Sequence, residues 1–66
     1  MDNAAKTELE LMIDKHGMRA VLLALADIAY EKAEHIITNY QDKPLAKAWE
    51  NAARAVNRAV DQSSVS

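Results

Sequence analysis

A chain of 66 residues with a net charge of −2 and no cysteine has room for one domain, excludes disulfide staples and offers no broad attraction for nucleic acid or an anionic membrane. Half of its residues are apolar and it holds a single glycine and a single proline, the composition of a compact helical chain rather than a disordered one. A domain this short buries only about 60% of its unfolded surface, so oligomerisation is the simplest expected source of extra stability.

The first helix is expected over about residues 7–16. Thr7 stands as N-cap with Glu10 three residues on, the spacing of a capping box, with residues 1–6 expected to be frayed, or else to extend the helix. Leu9, Met12, Ile13 and His16 fall along one side as a narrow stripe, with Leu11 opposite. Gly17 then supplies a left-handed C-cap, and the lack of any real loop makes the first two helices neighbours. The opening MDNAAKTELE is acidic and polar where a secretory signal needs a basic start and an apolar run. The longest apolar run, Ala20 to Ala26, falls far below the roughly 18 residues that span a bilayer, so a cytoplasmic protein with no membrane partner is expected.

The second helix, Met18 to Tyr40, is the longest apolar-periodic segment. Met18, Leu22, Leu25, Ala29, Ala33, Ile36 and Tyr40 fall on one line, flanked by Val21 and Ile28 on one side and by Leu23, Ala26, Tyr30 and Ile37 on the other. The apolar arc covers roughly 220°, where a helix resting on one neighbour needs little over about 100°. Asp27, Glu31, Glu34 and Thr38 make a narrow polar strip for solvent.

Gln41-Asp42-Lys43-Pro44 breaks the chain again, with Asp42 as N-cap and Pro44 tolerated in a first turn. The third helix, about residues 43–61, places Leu45, Trp49, Ala52, Val56, Ala59 and Val60 on one face. Lys47, Glu50, Asn51, Arg54, Asn57, Arg58 and Asp61 occupy the other. Six alanines, at 46, 48, 52, 53, 55 and 59, allow a neighbouring helix to come close. The small polar residues 62–66 read as a disordered tail.

Constellations that carry chemistry are sparse. Gly17, with Ile13 four positions before it, fits the turn of a helix-turn-helix, yet a recognition helix must offer polar side chains to base edges and this one presents Ala20 to Ala26. Lys15, Arg19, Arg54 and Arg58 are the residues a nucleic-acid reading would use, as the alternative. Glu31 and His35 are spaced to share a metal, but a site needs three or four converging ligands and Lys32 stands where a Glu-x-x-His motif requires glutamate. The same spacing serves a solvated helix face, as do the Glu50–Arg54 and Arg58–Asp61 pairs. The few serines lie in the tail and no glycine-rich phosphate loop occurs, so neither an enzyme nor a cofactor is expected.

From about Lys15 to Val60 the chain resembles small uncharacterised all-helical proteins of bacteria and their phages, a group with no assigned function. The pieces that carry the resemblance are His16-Gly17 before the long helix, Lys32-Ala33-Glu34-His35 within it, and Gln41-Asp42 leading to Leu45-Ala46-Lys47 and Trp49. Those proteins often carry tryptophan before Gln-Asp, where this chain has Tyr40.

The expected architecture is an all-α three-helix domain, with a short first helix and an amphipathic third helix packed on the long central one. Two small neighbours leave part of the 220° arc of the central helix uncovered. The expected function is therefore that of a non-enzymatic protein–protein interaction or regulatory module acting as a homo-oligomer, a dimer first of all, with another protein as a further possible partner and nucleic-acid or metal binding as alternatives. The residues expected to carry self-association are Val21, Leu25, Ile28, Tyr30, Ile37 and Trp49.

Overall fold

The computed structural model describes residues 1–64, and within them the chain forms three helices and no strand: α1 (Asn3–His16), α2 (Met18–Tyr40) and α3 (Lys43–Gln62). The helices pack as an all-α domain in which α2 meets both α3 and α1, while no Cα of α1 comes within 8 Å of one in α3.

Helix α1 starts earlier than the capping-box reading placed it. Asp2, not Thr7, is the N-cap: its Oδ1 accepts from the Ala5 N–H at 2.8 Å, and its carbonyl accepts from the Lys6 N–H at 3.0 Å. Residues 3–6 are therefore helical rather than frayed, helped by Ala4 and Ala5 with their high helix propensity. Thr7 sits inside the helix, its hydroxyl donating to the Asn3 carbonyl at 2.8 Å.

Gly17 ends α1 by donating its N–H to the Ile13 carbonyl at 2.7 Å. Its backbone is at φ 91°, ψ 151°, so the positive φ expected of a C-cap glycine is present but ψ is extended instead of left-handed helical. Only glycine occupies that region without a Cβ clash. Gly17→Ala is expected to cost about 1–3 kcal/mol, read as a lower urea midpoint. An unchanged midpoint would mean that the α1–α2 corner relaxes without strain.

The α2–α3 connection follows the sequence closely. Gln41 adopts the left-handed conformation at φ 55°, ψ 27°, and the Asp42 carboxylate accepts from the Leu45 N–H at 3.1 Å, with Pro44 in the first turn of α3. Two linking residues force α2 and α3 into an antiparallel hairpin. The Asn39 amide donates to the His35 carbonyl at 3.1 Å in the last turn of α2. Helix α3 runs one residue past the expected end, so Gln62 is helical; Val65 and Ser66 of the expected tail lie outside the described residues.

The seam of the hairpin is made of small side chains. Among the described residues the buried ones are Ala26, Ala29, Ala33 and Ile36 of α2 against Ala46, Ala53 and Val60 of α3, and no large side chain is fully buried. Close backbone approach across alanine is what lets the helices meet. This rotates α3 by about one residue from expectation. The face 46/53/60 turns inward, Glu50, Val56 and Asn57 are half-buried beside it, and Leu45, Trp49, Ala52 and Ala59 remain exposed. Ala53 cannot be displaced by its larger neighbours because burying Trp49 at the seam would push the two backbones apart.

The result is an open molecule. Its radius of gyration is 13.5 Å, against about 11 Å for a compact domain of this length. The accessible surface of 5169 Å² exceeds by roughly 1,000 Å² that of a compact monomer of the same size.

Candidate interaction surface

Because α1 has no buried residue and leans on α2 alone, the two helices leave a groove of about 450 Å³ between them. Helix α1 contributes Leu9, Met12 and His16; α2 contributes Ala20, Val21, Ala24, Leu25 and Ile28. The α1 residues recur at helical spacing, so one stripe of α1 faces one flank of α2. His16 supplies the one polar side chain of this lining. At Ile28 the groove runs on into a shallower depression bounded by Glu31, Lys32 and His35. The chemistry the groove offers is burial of apolar surface, with one imidazole at its edge.

Of the six residues expected to carry self-association, the structure brings Val21, Leu25 and Ile28 together in the groove, half-buried or 43% and 49% exposed. Trp49, at 36% exposed, lies across α2 on α3. In an antiparallel hairpin, the helical positions of Leu45, Trp49, Ala52 and Val56 relative to the buried 46/53/60 face put them on the same broad side as Leu25 and Ile28. Tyr30 and Ile37 do not join them. With Leu23 they form a file at seven-residue spacing on the other flank of the buried Ala26–Ala29–Ala33–Ile36 line, a separation that the undivided apolar arc of the sequence does not reveal. Leu9 and Met12 were missing from the expected surface: their stripe is visible in the sequence, but which flank of α2 receives it depends on the Gly17 backbone.

Of the four basic residues, Lys15 stands in the last turn of α1, Arg19 in the first turn of α2, and Arg54 and Arg58 in the second half of α3. All four are exposed. Arg54 is engaged locally, 3.6 Å from the Glu50 carboxylate and donating to the Asn51 side-chain Oδ1 at 3.2 Å. That is the one ion pair among the described residues; Arg58 and Asp61 do not form theirs. His35 is held by its own helix, with the Asn39 amide 2.9 Å from Nδ1 and the Tyr40 ring edge-on at 6.0 Å between centroids. Among the described residues no three possible metal ligands converge, and no helix is long and apolar enough to cross a membrane.

Fold and surface together define an all-α three-helix domain with an open apolar groove and a core of small side chains. Comparison with known protein families, curated proteins and solved structures gives no match for this chain.

Proposed function

We propose that the chain is a non-enzymatic interaction module that works as a homodimer. The observation that carries this reading is the inversion of its apolar residues: alanines fill the seam, while Leu11, Met12, Leu23, Leu25, Ile28, Ile37, Leu45 and Trp49 are each at least about a third exposed. Domains are ordinarily built from packed layers around one core of large side chains, and a single open hairpin with a leaning helix lacks the second layer. A second copy supplies it. Kinship with the small helical proteins of bacteria and phages belongs to the same proposal and brings no activity with it.

Analytical ultracentrifugation over micromolar concentrations tests the reading. The expected result is the mass of two chains, with helix content and melting temperature falling on dilution through the dissociation constant, because an assembly that supplies the core makes stability depend on concentration. A one-chain mass with unchanged melting at every concentration would sink the proposal.

A further inference from the structure

Resting on the homodimer reading, we propose that the second copy sits on the groove side of the hairpin, so that α1 is part of the interface and not a free arm. Helix α2 exposes apolar side chains on two flanks, and the flanks differ in what adjoins them. On one, Leu25 and Ile28 continue into Leu9 and Met12 of α1 and, across α2, toward Trp49. On the other, Leu23, Tyr30 and Ile37 stand in single file, each less than half exposed, beside the polar face of α3 that carries Lys47 and Arg54.

Area decides between them. A stable dimer covers about 800 Å² on each partner, and this chain carries roughly 1,000 Å² beyond a compact monomer's surface. Three partly covered side chains fall well short of such a patch. The groove side, which spans all three helices, is the broad one. Two-fold symmetry places the same residues on both copies, so Leu25 and Ile28 meet surface of the same kind, and two layers close over α1 from both directions. The weak hold of α2 on α1 also finds its explanation: a 14-residue helix with no buried residue is marginal in isolation and needs the second copy to cover it.

Two measurements on the full chain test this. Trp49 is the sole tryptophan, so its emission reports one position; a red shift is expected as the dimer is diluted apart. Constant emission while the mass halves would overturn the proposal. The second measurement compares Met12→Glu with Tyr30→Glu by sedimentation, with circular dichroism as a check on folding. Both side chains are already partly exposed in the single chain, at 51% and 39%, so the fold should survive either change. Met12→Glu is expected to raise the dimer dissociation constant by about tenfold or more, since each copy then buries a carboxylate without a partner, while Tyr30→Glu leaves it within about twofold. The reverse pattern places the interface on the Leu23–Tyr30–Ile37 flank, overturning this inference while keeping the homodimer. A wild-type chain that is monomeric throughout overturns both.

Discussion

Ala53→Leu is expected to lower the melting temperature by roughly 10–20 °C, the effect of overpacking by a few kcal/mol in a domain where each kcal/mol moves the midpoint by about 4–8 °C. Ala53 is fully buried, at 0% exposure, in a seam where two helix backbones approach over small side chains. Three added carbons there have no void to enter and must push α3 off α2. Ala55→Leu is the matched control, two residues along the same helix and exposed; it should change the midpoint by no more than a few degrees. Equal melting of the two variants, followed by circular dichroism, would mean that the seam does not run through Ala53.

Leu25→Asp should act on assembly rather than on the hairpin. Leu25 is 43% exposed in the single chain, so an aspartate there reaches water as long as the chain stands alone. In the proposed homodimer each copy would bury it against an apolar surface, and the dissociation constant is expected to rise about a hundredfold or more, roughly 2.8 kcal/mol at 1.4 kcal/mol per decade. Sedimentation should then give the mass of one chain at concentrations where the wild type is a dimer. Retained assembly with unchanged melting would remove Leu25 from the interface.

These two residues also mark where sequence and structure part. The helix bounds around Gly17 and around Asp42–Pro44 were legible, because a lone glycine and an Asp-x-Pro step act on the backbone regardless of what packs nearby. The start of α1 was not. Asp2 and Thr7 are both competent caps, and the choice falls to Ala4 and Ala5, whose propensity extends the helix back to Asn3. The inward face of α3 was misjudged for a related reason. Periodicity weights large apolar residues, so Leu45, Trp49 and Val56 pulled the expected face toward themselves, whereas the seam follows the alanines that permit close approach, Ala46 and Ala53. As for the surface, the surplus of apolar residues on α2 was readable from its 220° arc, but its division into two flanks was not. Where α3 lands on that arc, and where Gly17 aims α1, are tertiary outcomes; together they put Leu25 and Ile28 with Met12 and leave Tyr30 and Ile37 on the far side.

The two-residue link between α2 and α3 has a further consequence, for the order of events in folding. Closing so short a loop costs little chain entropy, and helical hairpins rich in local contacts form in microseconds to milliseconds. The seam of Ala33, Ile36 and Ala46 lies next to that link, so the hairpin is expected to zip from its closed end toward Val60. On the homodimer reading, the slow step left is the meeting of two chains, whose rate rises with concentration. During synthesis α3 emerges after α2, and until it does the Ala26–Ala29–Ala33–Ile36 line of the central helix stands in water.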